Sequence, residues 1–181
     1  MYLSEIQLQL DRVSRMLRQK LEQESVPMAY RLTGEFNQKG FPEIETTEAI
    51  DPQLIDDLAR NLLIQTYHIK DRIVLNPSLK KLVESDINSD TTLAVCADLA
   101  NWAKHGKLNK SRSGKFPHIQ GGRTLHKEFV QDTKSEQWIA TKGEVFANVC
   151  DNQGKYLGDA FEIVEYTLGK FETYAESESE I

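Results

Sequence analysis

Two predicted helices carry polar side chains that could take part in acid–base chemistry. At roughly 100° per residue, Asn61, Gln65, His68 and Arg72 fall within about 60° of one another on the helix predicted for residues 52–75. The remaining faces of this helix are largely apolar, which is typical of a central, buried helix whose polar stripe needs partners. An imidazole titrates near neutral pH and a guanidinium stabilises phosphate charge, so the stripe has groups suited to proton transfer on a phosphodiester.

The helix predicted for residues 91–105 carries a matching stripe. Asp98, Asn101 and His105 lie within an arc of about 60°, and Lys104 lies about 120° from Asp98. Because consecutive helices usually pack against one another, we expect this stripe to face the first across one water-accessible crevice. The predicted catalytic residues are His105, His68, Asn101, Asp98 and Arg72.

Three interpretations of the paired stripes remain open at this point. They could form a satisfied hydrogen-bond network that fixes helix register, since such networks are common in protein cores. A metal site of His68, His105 and Asp98 is less favoured, because no close i, i+4 pair of ligands reinforces it. The third interpretation is a catalytic acid–base pair. No Walker A motif, dinucleotide glycine fingerprint or GxSxG is present, and we predict neither metal nor cofactor.

A basic, acid-free stretch follows the second stripe. Residues 99–127 contain seven Lys or Arg and no Asp or Glu. The rest of the chain therefore has a net charge of −13, which brings the whole chain to −6. A solvated loop would explain this, but an acid-free segment also offers phosphate no local repulsion. The residues predicted to bind phosphate or nucleic acid are Lys104, Lys107, Lys110, Arg112 and Lys115.

Composition places the chain among single-domain cytoplasmic proteins. Its 181 residues are 39% hydrophobic and 28% charged, which suffices for one buried core. No apolar run is long enough for a membrane span, and the N-terminus lacks the features of a secretory signal. Cys96 and Cys150 are predicted to be reduced thiols, because they are far apart and in no metal-like spacing.

Hydrophobic spacing predicts a mainly α fold, a helical bundle with a small antiparallel β-hairpin or sheet insertion before the C-terminal helix. The N-terminal part, 1–106, is predicted as the bundle, with helices at 3–24, 28–38, 52–75, 78–84 and 91–105 and a loop or lid at 41–50. Residues 107–158 are predicted as a basic flexible loop and hairpins, with strands at 124–130, 137–141 and 144–150 and a turn at 142–143. Residues 159–175 are predicted as the closing helix, capped by Asp159, and 176–181 as a disordered acidic tail.

The second stripe also resembles a known motif. Asn101, three residues and His105 are similar to the short helical motif of HEPN-type all-helical proteins, although Ala100 stands at the motif's Arg position. Tyr67-His68-Ile69-Lys70-Asp71, followed by DLANWAKH, is similar to a group of uncharacterised bacterial and phage-borne proteins. This resemblance covers residues 51–108.

The resemblance implies a dimer that associates with RNA, with Asn101 and His105 at the core of its site. Many HEPN proteins are metal-independent endoribonucleases of toxin–antitoxin or other defence systems, and others are inert RNA-associated or scaffolding modules. In the enzymatic version one of His68 and His105 removes the 2′-hydroxyl proton, the other protonates the leaving oxygen, and a cation such as Arg72, Arg60 or Lys104 stabilises the phosphate. The alternative is a non-catalytic module that dimerises or docks a partner protein.

Overall fold

The computed structural model describes the backbone of residues 2–24, 28–36, 42–46, 51–131 and 138–179, and the side chains of 5–18, 51–123, 130 and 144–177. Within these residues the fold is mainly α-helical, with an antiparallel sheet whose longest strands precede the C-terminal helix, as predicted. The helices are α1 (Tyr2–Glu24), α2 (Pro52–Ile73), α3 (Pro77–Ser89), α4 (Thr91–His105) and α5 (Ala160–Ser179). The strands are β1 (Met28–Phe36), β2 (Pro42–Thr46), β3 (His118–Gln131), β4 (Trp138–Cys150) and β5 (Tyr156–Asp159).

Helix α2 lies at the centre of the molecule. Its N-terminus is set by Asp51, whose carboxylate accepts the backbone N–H of Gln53 at 2.9 Å, and by Pro52 in the first turn. Its buried apolar side chains contact α1, α4, α5, β3 and β4. The apolar faces of this helix are therefore covered by its neighbours, whereas Asp57, Asn61 and Asp71 are exposed.

The other helices follow local capping signals. Asn76 caps α3, and Asp90 caps α4 by accepting the N–H groups of Thr92 and Leu93. Gly106, with φ of 71°, ends α4 in the left-handed conformation that glycine adopts without steric cost. The bounds of α4 match the predicted helix at 91–105.

The sheet has the order β2-β1-β4-β3, and β5 also pairs with β4. All of these pairings are antiparallel, and β3 pairs with β4 from His118 opposite Cys150 to Gln131 opposite Trp138. The sheet approaches α2 closely at Gly122, where an added Cβ would lie 2.5 Å from the Cβ of Ile55. Only a residue without a side chain fits at that point of contact.

Helix α5 closes the fold through polar as well as apolar contacts. Its buried face includes Phe161, Val164 and Phe171. The hydroxyl of Tyr166 donates to Asp90 at 2.5 Å, and the hydroxyl of Tyr174 donates to Asp86. These two bonds tie the last helix to α3 and to the start of α4.

Several predicted elements are wrong in type or extent. The helix predicted for 28–38 is strand β1, the loop predicted for 41–50 contains β2, and the short helix at 78–84 is part of the longer α3. The turn predicted at Lys142-Gly143 does not exist, because β4 runs continuously through it opposite β3. The tail predicted to be disordered is helical through Ser179, and its last two residues lie outside the described residues. Among the described residues, no helix is both long and apolar enough to cross a membrane.

Candidate functional site

The first candidate site is a groove between α1 and α2. It has a volume of about 520 Å³. Buried Ile6, Leu10 and Val13 hold α1 in the core, and the carboxylate of Glu5 accepts a hydrogen bond from Arg72 Nη1 at 3.2 Å. We call this site the helical groove, and it is lined by Gln9, Arg12, Gln65, His68, Asp71, Arg72 and Leu75.

His68 is the titratable group of the helical groove, and its surroundings favour the neutral imidazole. Burial lowers the pKa of His68 below its ordinary range, and the charges of Lys104, Arg12 and Arg72 lower it further, while Asp71 opposes them. A neutral imidazole at pH 7 has a free nitrogen lone pair and can accept a proton. The groove carries charges of both signs, because Asp71 lines it with Arg12 and Arg72, and Glu5 pairs with Arg72.

We predict that replacing Lys104 with Gln raises the pKa of His68. Removing a positive charge that faces the imidazole makes the protonated ring less costly, and added salt should act in the same direction by screening Arg12 and Arg72. The measurement is an NMR titration of the His68 ring protons in the wild type and the variant. Lys80→Gln on the exposed side of α3 is the control, and a His68 pKa that is unchanged or lower in Lys104→Gln would contradict the electrostatic assignment.

A second depression lies at the C-terminal end of α4. Its volume is about 440 Å³, and it is formed where the last turn of α4 meets the following loop. His105 is exposed and Asn101 is half-buried here. We call it the loop depression, and it is lined by Asn101, His105, Lys107, Leu108, Asn109 and Lys110.

The prediction that the two polar stripes share one crevice is wrong. His68 and Arg72 line the helical groove with α1, whereas Asn101 and His105 line the loop depression. Lys104 is the predicted residue that is related to both sites. It belongs to the last turn of α4, which borders the loop depression, and its charge lowers the pKa of His68 in the helical groove.

Asp98 does not face either histidine, contrary to the sequence prediction. It is 1% exposed, and its carboxylate accepts hydrogen bonds from the loop that follows α4. Oδ1 accepts the N–H of Arg112 at 2.8 Å, and Oδ2 accepts the hydroxyls of Ser111 and Ser113 at 2.6 and 2.7 Å and the N–H of Ser113 at 3.0 Å. The residue therefore anchors the loop, which the sequence predicted to be flexible, and its hydrogen-bond partners come from Ser111, Arg112 and Ser113.

The predicted phosphate ligands divide into three groups. Lys107 and Lys110 are exposed and line the loop depression, next to Lys104. Arg112 Nη1 instead donates to Glu84 at 2.9 Å, and Lys115 lines a small cavity of about 50 Å³ beside the start of α4. Hydrogen bonds from Lys70 and then Arg112 lower the pKa of Glu84, so this ion-pair cluster is stable at neutral pH.

Two groove residues were missed by the sequence reasoning. Gln9 and Arg12 lie on α1, which was interpreted only through its apolar spacing. Their position on α1 could have indicated this role, because both lie beside the buried apolar side chains Ile6, Leu10 and Val13. Residues that flank such an apolar stripe lie at the edge of the contact with the helix that packs on it. The partner helix, α2, could not be inferred from that signal.

No protein-family model matches this sequence, and no curated protein or solved structure is significantly similar to it. The likeness to HEPN-type proteins therefore stays a prediction. The site must be judged on its own geometry and charges.

Metal and thiol chemistry find little support in the described side chains. Among them, no group of three or more His, Cys, Asp or Glu is placed to hold a metal ion. Both cysteines are free and buried, and burial raises the pKa of the Cys96 thiol to about 11. A thiol with that pKa is almost entirely protonated at neutral pH and is a poor nucleophile.

Proposed function

We propose that the protein binds RNA in the helical groove and that His68 acts there as the general base of an endoribonuclease. The observation that carries the proposal is the position of His68 in the groove with Arg12 and Arg72, where burial and the nearby cations lower the pKa of its imidazole. The cations would hold a phosphate of the backbone, and the imidazole would accept the proton of the adjacent 2′-hydroxyl.

Gln9 supports ribose as the sugar that enters the groove. Its Oε1 is shielded from solvent and has no hydrogen-bond partner among the described residues, although the side chain lines the groove. A buried acceptor of this kind is costly unless a donor reaches it. A 2′-hydroxyl, which DNA lacks, would be such a donor once the Gln9 side chain turned its oxygen toward the groove.

The separation of the two histidines simplifies the proposed mechanism. The 2′-oxygen would attack phosphorus as its proton passes to His68, and a 2′,3′-cyclic phosphate would form as the bond to the 5′-oxygen breaks. Because His105 lines the other depression, the leaving 5′-oxygen would take its proton from water rather than from a second imidazole. The rate should then rise with pH through the pKa of His68 and level off, without the bell shape that two histidines would give.

The proposal is tested with a labelled single-stranded oligoribonucleotide and with the same oligonucleotide carrying 2′-deoxyribose. We expect His68→Gln to slow cleavage by about 100-fold and to leave the affinity for RNA within about threefold. His118→Gln is the matched control, since it removes an imidazole that lines neither site. Cleavage by His68→Gln at the wild-type rate, or the absence of RNA binding at low salt, would refute the proposal.

A non-catalytic interaction module remains the second candidate, and exposed leucines favour it. Leu8 on α1 and Leu75 just after α2 are 63% and 61% exposed, and Leu54 and Leu82 are about half exposed. Exposed apolar side chains that form one contiguous patch are typical of contacts with a second copy or another protein. In that case the wild-type chain would sediment as a dimer and would neither bind nor cleave RNA.

A further inference from the structure

The two candidate sites lie next to each other around the end of α4. At roughly 100° per residue, His105, Asn101 and Lys104 follow one another around the helix at intervals of about 40° and 60°. The first two line the loop depression, and Lys104 is close enough to His68 to lower its pKa. Lys104 therefore stands between the loop depression and the helical groove.

Each of the two sites presents positive charge to solvent. Arg12 and Arg72 line the helical groove, and Lys107 and Lys110 line the loop depression. Lys104, Lys107 and Lys110 are exposed, so a ligand can reach them without any rearrangement of the core. Cations are therefore present in both sites and at Lys104, while Asp71 and the Glu5–Arg72 pair add negative charge in the helical groove.

Hydrogen bonds at both of its ends fix the segment that forms the wall of the loop depression. Gly106 ends α4 with a hydrogen bond from its N–H to the carbonyl of Trp102 at 2.7 Å, and the buried carboxylate of Asp98 fixes residues 111–113. Lys107 and Lys110 lie between these two anchors. Fixing a segment before binding reduces the entropy that a ligand must pay to order it.

We propose that single-stranded RNA crosses the C-terminal turn of α4, with one phosphate in the helical groove, a later phosphate in the loop depression and Lys104 between them. This inference rests on the RNA binding proposed above and adds the path of the strand. A single strand fits the arrangement, because it can bend from one depression into the next, whereas a duplex is stiff over such a short distance.

The test compares the binding of a trinucleotide and a dodecanucleotide of uridine, measured by fluorescence anisotropy over a range of salt concentrations. The double variant Lys107→Gln/Lys110→Gln should weaken dodecanucleotide binding about tenfold and reduce the salt slope by about 0.7, the contribution of the one phosphate that the loop depression holds. Trinucleotide binding should change less than about twofold, because the helical groove and Lys104 still hold it. Lys104→Gln should weaken both oligonucleotides.

The matched control is Lys80→Gln/Lys81→Gln, which removes the same charge from the exposed side of α3 and should leave both affinities unchanged. Equal losses in the two double variants would indicate general charge attraction and overturn the proposed path. The same conclusion would follow if Lys107→Gln/Lys110→Gln affected neither oligonucleotide, or both equally. Each of these results leaves RNA binding intact, whereas a wild-type protein that binds neither oligonucleotide would remove the proposed function itself.

Discussion

Replacing Asp98 with Ala is expected to lower the free energy of unfolding by about 2–4 kcal/mol and to release the loop after α4. The carboxylate is buried and accepts four hydrogen bonds, two of them from the backbone N–H groups of Arg112 and Ser113. Alanine leaves these donors without their acceptor, and the loop can recover them only by moving into water. Urea unfolding followed by circular dichroism measures the first effect, and limited trypsin cleavage at Lys107 and Lys110 measures the second.

Two further variants separate the anchor from a general effect of removing charge. Asp98→Asn keeps the side-chain volume and one carbonyl acceptor, so its loss should be about half that of Asp98→Ala. Asp57→Ala removes an exposed carboxylate whose Oδ1 accepts only the side-chain amide of Gln53 among the hydrogen bonds described, and it should change stability by less than about 0.5 kcal/mol. A trypsin-resistant loop in a fully stable Asp98→Ala protein would show that the carboxylate is not the anchor.

Replacing Asp159 with Ala is expected to cost a similar amount, about 2–4 kcal/mol, because one buried carboxylate serves two elements. Its Oδ2 accepts the N–H of Ala147 in β4 at 2.7 Å, and its Oδ1 accepts the N–H groups of Phe161 and Glu162 at 2.9 and 3.3 Å. The residue is 3% exposed, so water cannot replace the lost acceptor without opening the contact between β4 and α5. Chemical denaturation gives the loss of stability, and hydrogen exchange at Ala147 and Phe161 locates it.

The control for this second prediction is Asp151→Ala in the turn between β4 and β5. That carboxylate also accepts two backbone N–H groups, from Gln153 and Lys155, but both bonds are exposed to solvent. Water can satisfy these donors, so the expected loss is below about 1 kcal/mol. Equal losses at Asp159 and Asp151 would mean that burial does not determine the cost, contrary to the physical argument.

The elements that the sequence predicted well are those whose ends are set by nearby residues. Asp51 with Pro52 begins α2, Asp90 and Gly106 bound α4, and Asp159 begins α5. Each of these capping residues acts within one helical turn, so its effect can be predicted without knowing the rest of the fold. The apolar spacing of α1 was predictable for the same reason.

The errors in the fold come from hydrogen-bond pairing between strands. Residues 28–36 form β1 because Tyr30–Phe36 pair with β2, and because Met28–Tyr30 also pair with Trp138–Ala140, more than one hundred residues away. Lys142-Gly143 has the composition of a turn, but Gly143 pairs with His126 and the strand continues. Cross-strand hydrogen bonds of this kind override local propensity, and no local pattern reports them.

The sequence by itself determined which faces of α2 and α4 are polar, because side-chain direction on a helix follows directly from residue spacing. Only the tertiary structure decided what those faces meet. Asp98 is satisfied by the Ser111–Ser113 segment, while α1 packs beside His68 and supplies Gln9 and Arg12. The neighbour that packs on each face is the one that buries the most apolar surface and leaves no polar group unpaired. That outcome depends on the packing of the whole core rather than on either helix alone.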